Sequence, residues 1–333
     1  MTFNVLWLQS GGCGGCSMSL LCADTADFPA LLKNSGIHLL WHPSLSLENQ
    51  QDLLGILQDC LSGCTRLDAL CIEGAVLRGP YHSGRFHLLA GTDVSMMRWI
   101  EQLAKVATHV LAVGSCAAWG GISASGCNPT DACGLQFEDE QIGGLLGRDF
   151  CAQGGMPVVN IAGCPTHPGW VLDTLMLLAA DQFGALNLDP LGRPRFYADQ
   201  LVHHGCPRNE YYEYKASAAQ PTDLGCLMEN MGCKGTQAHA DCNTRLWNGD
   251  GSCLRGGFAC INCTAPGFQS PGHAFHLTAK LAGIPVGLPT DMPKAWFVAL
   301  ASLSKSATPK RVKVNSRSDH VVLPPASRNM RQR

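Results

Sequence analysis

Thiol side chains are the most informative chemical feature of this sequence, because 18 of its 333 residues are cysteine. Thiolates bind zinc, copper and iron-sulfur clusters, and pairs of thiols can also form disulfides. The chain begins MTFNVLWLQ, without the basic segment and apolar core of a secretory signal, so we expect a cytoplasmic protein. Disulfides are rare in that reducing compartment. Metal binding is therefore the chemistry that the cysteines favour.

The elements that must position these thiols differ between the two halves of the chain. In the first half, short apolar runs that read as buried strands alternate with helix-like stretches such as 46–60 and 95–107. The runs are 4–9, 37–41, 69–72, 109–113 and 158–162. Strands alternating with helices indicate an α/β fold with a doubly wound parallel sheet, whose ligands gather beyond the carboxyl ends of the strands. We predict a flavodoxin-like domain over residues 1–184.

Four cysteines follow the ends of three of these predicted strands. Cys13 and Cys16 come after the first strand, Cys116 after the fourth and Cys164 after the fifth. Four thiolates meeting at one edge of a sheet would suit a cubane iron-sulfur cluster. A thioredoxin-like redox pair or a phosphate-binding glycine loop at the first two are alternatives, but neither explains the other two thiols.

Beyond Pro190 the apolar periodicity fades, and seven cysteines fall within residues 203–263. One mixed set comprises His203, Cys206, Cys226 and Cys233, with His204 as a competitor for His203. A second set comprises Cys242, Cys253, Cys260 and Cys263. The C-x-x-C spacing at the end of the second set also serves zinc, so these residues alone leave structural zinc open.

The second half has too little apolar periodicity to build a large core, so metal binding would have to supply much of its folding free energy. We predict an irregular cluster-binding domain over residues 185–304, with one helix near 293–303. Residues 305–333 form a basic tail that we expect to be largely loose or bound to a partner.

Composition excludes several other classes of function. With 24 basic and 26 acidic residues the formal net charge is -2, so no general attraction to nucleic acid is indicated. No uncharged apolar run reaches the roughly 18 residues that would suggest a membrane span.

Six motifs together resemble the small subunit of nickel-iron hydrogenases over nearly the whole chain. They are CGGCS at Cys13, EGAV at Glu73, GSCAAWGG from Gly114, GCPTHP from Gly163, VHHGC from Val202 and CINC at Cys260. The resemblance implies three 4Fe-4S clusters that relay electrons from H2 oxidation, while the catalytic nickel-iron site lies in a partner large subunit.

The resemblance also implies how the ligands are shared among the clusters. The proximal cluster would be held by Cys13, Cys16, Cys116 and Cys164, with the Glu73 carboxylate nearby. The medial cluster would be held by Cys242, Cys253, Cys260 and Cys263, and the distal cluster by His203, Cys206, Cys226 and Cys233.

Three positions separate this sequence from parts of that family. Cys253 falls where many respiratory members carry proline beside a three-iron medial cluster, so a fourth thiolate should make this cluster 4Fe-4S. Gly15 and Gly121 stand where oxygen-tolerant membrane-bound members carry two extra cysteines, so their special proximal cluster is not expected.

Cys253, the basic tail and the expected cytoplasmic location are similar to the hydrogen-sensing, or regulatory, hydrogenases. That subgroup implies a dimer of heterodimers and a histidine kinase that receives the signal. Two alternatives remain: the small subunit of a cytoplasmic uptake hydrogenase, and a zinc-stabilised binding module without a redox role.

Seven cysteines have no place in the three ligand sets, and we predict that they are small buried hydrophobic residues. They are Cys22, Cys60, Cys64, Cys71, Cys127, Cys133 and Cys151.

Overall fold

The computed structural model describes residues 2–23, 28–270 and 277–325. The strands are β1 (Phe3–Gln9), β2 (Ile37–Trp41), β3 (Ala69–Glu73), β4 (Val76–Leu77), β5 (His109–Val113), β6 (Ala132–Cys133), β7 (Phe137–Glu138), β8 (Gln141–Ile142), β9 (Val159–Ile161), β10 (Lys280–Leu281) and β11 (Ile284–Pro285). The helices are α1 (Gly15–Leu21), α2 (Phe28–Asn34), α3 (Gln50–Ser62), α4 (Met96–Val106), α5 (Ser115–Trp119), α6 (Pro168–Ala179), α7 (Arg195–Ala198), α8 (Asn209–Glu213), α9 (Lys294–Ser306) and α10 (Lys310–Asn315).

The main sheet has five parallel strands in the order β2-β1-β3-β5-β9. This is the flavodoxin-like order, in which the second strand lies outside the first. The predicted α/β fold and its five strands are confirmed. Strands β3 and β5 are buried almost throughout because apolar residues fill both faces, as expected of a parallel sheet covered by helices.

Local sequence signals explain where helices α3 and α4 begin. Helix α3 starts at a capping box, in which the Asn49 side chain accepts from the Asp52 backbone and Asp52 accepts from the Asn49 backbone. Helix α4 starts after Ser95, whose hydroxyl accepts from the backbone N–H of Arg98. The apolar faces of both helices join the core under the sheet, which includes Leu57, Ile100 and residues of β1, β3 and β5.

The chain divides into two compact units. The first reaches Asp199 and also contains short segments beginning at Trp247 and Cys263, and the second contains the remaining residues after Asp199. The domains predicted from the sequence are continuous stretches that end at residues 184 and 304. These limits remain a prediction.

The second unit is irregular, and its hydrophobic core is small. Its core cluster of buried residues contains only Tyr212, Met228 and Phe297 within the described ranges. The helix predicted at 293–303 is confirmed as α9, which begins after Pro293 and ends three residues later than predicted.

The tail was predicted to be largely loose or bound to a partner, and the first alternative is wrong for residues 305–325. Helix α10 places Val312 and Asn315 in buried positions, and the Asn315 side chain donates to the carbonyl of Leu323 and accepts from two backbone N–H groups. A buried amide that satisfies three backbone partners fixes the path of the chain. Arg328, Arg331 and Arg333, which belong to the predicted basic tail, lie outside the described residues.

Among the helices that the structure describes, none combines the length and the apolar composition needed to cross a bilayer.

Candidate functional site

The first group of predicted ligands lies at the carboxyl edge of the parallel sheet. Cys13 and Cys16 follow β1, Cys116 lies in α5 directly after β5, and Cys164 follows β9. Glu73 is the last residue of β3, which lies between β1 and β5. The sheet order therefore directs four thiols and one carboxylate to a single edge, as the sequence predicted.

Burial and mutual repulsion raise the pKa of three of these thiols. For Cys164, burial is the main cause, and charge on Cys116, Cys263 and Cys13 adds to it, bringing the pKa to about 12. Burial also raises the pKa of Cys16 and of Cys116, and their neighbouring thiols of the same set add to the shift. Thiols that are costly to ionise together need a strongly cationic centre to hold them as thiolates.

Glycines surround these sulfurs so closely that a side chain would collide with them. A Cβ at Gly114 would overlap the Cys16 sulfur, and one at Gly121 would lie 2.9 Å from the Cys116 sulfur. Both glycines have positive φ, at +85° and +52°. Glycine is thus required here both for the backbone conformation and for the close approach to sulfur.

The Glu73 carboxylate organises the loop that carries the first two thiols. It is 2% exposed and accepts hydrogen bonds from the backbone N–H groups of Cys16 and Ser17, each at 3.0 Å. It also accepts from the Ser17 hydroxyl and from the indole N–H of Trp7. A buried carboxylate with four donors is fully satisfied, so Glu73 fixes the start of α1 next to the thiols.

The second group of predicted ligands lines one cavity in the second unit. His203, Cys206, Cys226 and Cys233 all face it, together with apolar residues that include Leu227 and Leu254. His204 does not line this cavity. The geometry therefore supports His203, rather than its neighbour, as the partner of the three thiols.

Hydrogen bonding leaves one nitrogen of His203 free to bind metal. Its Nε2 lies 2.9 Å from Oδ2 of Asp291, whereas its buried Nδ1 has no hydrogen-bond partner among the residues that the structure describes. A carboxylate only accepts, so Nε2 carries the proton and Nδ1 of the neutral ring has an open lone pair. His204 Nε2 shares the same carboxylate at 3.3 Å. Burial opposes ionisation of Asp291, but the hydrogen bonds from the two histidines outweigh it and lower the Asp291 pKa.

Backbone N–H groups donate to the sulfurs of the second unit in a recurring pattern. Each donor lies two residues after its cysteine: Arg208 to Cys206, Met228 to Cys226, Gly235 to Cys233 and Asn262 to Cys260. Such donors stabilise negative charge on sulfur and raise the reduction potential of a cluster bound there. Neither this pattern nor Asp291 was predicted from the sequence. The bond from the backbone N–H two residues after each cysteine depends on turns that the cysteine spacing does not specify.

The predicted medial ligands are distributed between the two units. Cys242, Cys253 and Cys260 belong to the second unit and Cys263 to the first. Burial raises the pKa of Cys233, and charge on the nearby Cys253 adds to it. In the first unit, the carbonyl of Cys263 accepts from the Ser115 hydroxyl beside the proximal set. The grouping of these four thiols remains a prediction.

The prediction for the seven other cysteines is confirmed in part. Cys60, Cys71 and Cys133 are buried. The prediction is wrong for four cysteines that lie at the surface, namely Cys22, Cys64, Cys127 and Cys151. These four lie outside the strands, at helix ends or in loops. Cysteine is often buried, but that tendency does not predict burial at a helix end or in a loop, where no apolar face is present.

The donor sets fit clusters of iron and sulfide. They combine thiols that are partly shielded from solvent, except the exposed Cys13 and Cys253, with backbone donors to sulfur and one imidazole with an open lone pair. These are ligands and surroundings that suit such clusters.

Comparison with known proteins identifies hydrogenase small subunits among the relatives of this chain. A family model described as NADH ubiquinone oxidoreductase, 20 Kd subunit, matches residues 13–178, and one that describes the C-terminal part of the NiFe/NiFeSe hydrogenase small subunit matches residues 198–276. The F420 non-reducing hydrogenase I small subunit of Methanosarcina mazei is 34% identical over 309 residues, which cover 84% of this chain and 77% of the relative.

Two solved structures share the fold over most of their length. The actinobacterial-type NiFe-hydrogenase from Ralstonia eutropha aligns with a TM-score of 0.74 and 27% identity over 93% of this chain and 92% of that one. The NiFeSe hydrogenase from Desulfovibrio vulgaris Hildenborough aligns with a TM-score of 0.70 and 30% identity over 83% of this chain and 98% of that one. The chain therefore belongs to the small subunits of nickel-iron hydrogenases, the electron-transfer components of these H2 oxidoreductases.

Proposed function

We propose that this chain relays electrons through three 4Fe-4S clusters in a cytoplasmic, hydrogen-sensing nickel-iron hydrogenase. The observation that carries the proposal is that His203, Cys206, Cys226 and Cys233 line one cavity in the second unit. A set of three thiols and one imidazole with an open nitrogen is suited to an electron-transfer cluster at an exit point.

The proposed ligand sets follow the sequence prediction. Cys13, Cys16, Cys116 and Cys164 would hold the proximal cluster, nearest the nickel-iron site of the large subunit. Cys242, Cys253, Cys260 and Cys263 would hold the medial cluster, and the His203 set would hold the distal one. When bound, such clusters supply one-electron redox chemistry at potentials that the protein adjusts.

The residues of this chain perform four tasks in that relay. The sheet edge partly shields three of the four proximal thiols from water. Glu73 holds the backbone of Cys16 and Ser17 in place through two N–H donors. Backbone donors to sulfur raise potentials in the second unit, and His203, being neutral, raises the distal potential further than a fourth thiolate would. Asp291 keeps the proton on Nε2 of His203, which leaves Nδ1 for iron.

The sensing role is supported by Cys253 and by the basic residues near the carboxyl terminus, several of which lie on α10. It implies a large catalytic subunit, a dimer of such heterodimers and a histidine kinase that receives the signal. The names of the relatives described above do not mention sensing. An uptake role is therefore the alternative, and the same ligand sets would serve it.

Anaerobic co-purification with the large subunit, followed by metal analysis, tests the proposal. Three cubanes require about twelve irons per small subunit, whereas a zinc-stabilised binding module requires none. Slow hydrogen turnover together with a co-purifying kinase would support sensing, and brisk hydrogen oxidation would support uptake.

A matched pair of variants sharpens the test of the medial cluster. Cys253→Pro should lower the iron content by about one per chain and produce a three-iron signal in electron paramagnetic resonance of the oxidised protein. Cys151→Ser, at an exposed thiol outside the ligand sets, should change neither. An unchanged spectrum in Cys253→Pro would remove Cys253 from the ligand set.

A further inference from the structure

One buried hydroxyl connects two of the proposed proximal ligands to a proposed medial ligand. Ser115 is 1% exposed and directly precedes Cys116. Its Oγ accepts a hydrogen bond from the backbone N–H of Gly163 at 2.9 Å and donates one to the carbonyl of Cys263. Gly163 in turn directly precedes Cys164. All five residues belong to the first compact unit, so this connection lies within a single unit.

The hydroxyl is fixed by the loops that follow β5 and β9. The backbone N–H of Ser115 donates to the carbonyl of Gly163 at 2.9 Å, so these two residues exchange a pair of hydrogen bonds just beyond the ends of the two strands. A buried hydroxyl that accepts one hydrogen bond and donates another has a single favourable orientation, and water does not compete for its partners. Ser115 therefore forms a rigid junction between the two loops.

The carbonyl of Cys263 is also held in place by a contact that does not involve Ser115. Nη1 of Arg193 donates to the carbonyl of the next residue, Thr264, at 3.0 Å. Arg193 is itself buried and forms an ion pair with Asp189 at 2.7 Å. Because this anchor fixes the backbone next to Cys263, removal of the Ser115 hydroxyl should break the connection without displacing the ligand.

Electrons tunnel between two sites more readily through covalent and hydrogen bonds than across contacts without bonds. From the Ser115 hydroxyl, covalent bonds lead to Cys116, and one hydrogen bond leads to Cys263. We propose that this hydroxyl is the main electronic contact between the proximal and medial clusters, which makes Ser115 a positioning residue for electron transfer. The inference rests on the proposed function, because it takes Cys263 as a medial ligand.

A second route joins the same two sets of ligands. Charge on Cys263 contributes to the raised pKa of Cys164, so the two thiols are close enough to interact directly. The two routes can be distinguished because only one of them passes through a hydroxyl. In either route one electron leaves the proximal site, which is oxidised, and reaches the medial site, which is reduced. No bond forms or breaks, and Ser115 keeps its proton.

Electron paramagnetic resonance of the anaerobic heterodimer provides the test, after light and a deazaflavin have reduced the clusters. Interaction between the reduced proximal and medial clusters splits their signals. Spectra at two microwave frequencies separate a dipolar part, which reports the distance between the clusters, from an exchange part, which reports the bonds between them. In Ser115→Ala the exchange part should fall roughly threefold, and the dipolar part should stay as in the wild type.

Two further variants are controls for this measurement. Ser115→Thr keeps a hydroxyl, so it should keep most of the exchange splitting. Ser19→Ala removes another buried hydroxyl of the first unit, which donates to the carbonyl of Thr166 at 2.7 Å. Thr166 is not a proposed ligand of any cluster, so the loss of this bond should leave the exchange splitting unchanged.

The outcomes separate this inference from the proposed function. Missing proximal or medial signals in the wild type would contradict the proposed function. Intact signals with an unchanged exchange part in Ser115→Ala would overturn the assignment of Ser115 alone, in favour of the direct route between Cys164 and Cys263. A changed dipolar part in Ser115→Ala would overturn it too, because Ser115 would then only hold the clusters in position. If the variants do not assemble, the wild type still decides, because two reduced clusters without exchange splitting would contradict the assignment.

Discussion

The two units hold their proposed ligands in different ways. In the first unit the thiols follow strands of one sheet, whose core includes Leu6, Leu70 and Val110, all fully buried. In the second unit His203 lies in a 3-10 helix and the proposed cysteine ligands lie in turns and loops. The core cluster of this unit consists of Tyr212, Met228 and Phe297. We therefore expect the sheet edge to form without metal and the second unit to need bound metal for order.

The difference shows where each unit obtains its folding free energy. A parallel sheet covered by helices buries enough apolar surface to offset the conformational entropy that the chain loses on folding. The core cluster of the second unit is far smaller, and without metal its proposed thiols would have no ligand to hold them together. Cluster binding and folding should therefore be coupled strongly in one unit and weakly in the other.

The largest expected effect is that of iron removal. In the iron-free chain, amides of the second unit should exchange with solvent within seconds, whereas those of β1, β3 and β5 should stay protected by roughly a thousandfold or more. Hydrogen exchange read by mass spectrometry measures both in one sample. Equal protection in the two units would contradict the comparison.

A smaller effect is expected at His203. Asp291→Asn removes a negative charge from the hydrogen bond to Nε2, so the imidazole becomes a weaker donor and the distal cluster becomes easier to reduce. The midpoint potential of the distal cluster should rise. The rise should be about 60 mV if the substitution favours the reduced form tenfold over the oxidised form. Redox titration followed by electron paramagnetic resonance measures the shift.

Two variants serve as controls for that titration. Asp291→Glu should restore much of the original potential, because it keeps the carboxylate. His204→Gln should have little effect, because His204 shares the carboxylate but lies outside the ligand cavity. An equal shift in His204→Gln and Asp291→Asn would contradict this prediction, because only Asp291→Asn removes the carboxylate that accepts from Nε2 of His203.

The smallest effect concerns a buried thiol of the first unit. Burial raises the pKa of Cys133 from 9.0 to about 12, while nearby Arg78 partly opposes the shift. Above pH 9 the unfolded chain loses this proton and the folded chain keeps it, so the free energy of unfolding falls as pH rises towards 12. The loss should be about 1.4 kcal/mol between pH 9 and pH 10 at most.

Cys133→Ala should remove that loss, so the difference in stability between variant and wild type should shrink at high pH. Urea unfolding of the iron-free chain, followed by the fluorescence of its buried tryptophans, measures the difference at pH 8 and pH 10. Cys151→Ala, at an exposed position, is the control. A pH-independent difference for Cys133→Ala would show that its thiol already ionises in the folded state.

The sequence predicted the first unit better than the second for a physical reason. Apolar runs such as 69–72 and 109–113 are buried on both faces, so their pattern alone specifies a parallel sheet and the edge where Cys116 and Cys164 lie. In the second unit, the positions of Asp291 and of the N–H donors depend on turns and on distant parts of the chain. The burial of Val312 on α10 was not predicted, because basic residues flank it and give the segment no apolar periodicity.

Gly121 limits how the proximal site could acquire further ligands. Any other residue at this position would have to adopt a φ of +52°. Its Cβ would lie within 3.0 Å of the backbone and sulfur of Cys116. At Gly15 the same addition would come 3.1 Å from the Cys13 sulfur. Converting this chain to the six-cysteine arrangement of oxygen-tolerant relatives would therefore require the turn after α5 to be rebuilt, and point substitutions alone would pass through strained proteins.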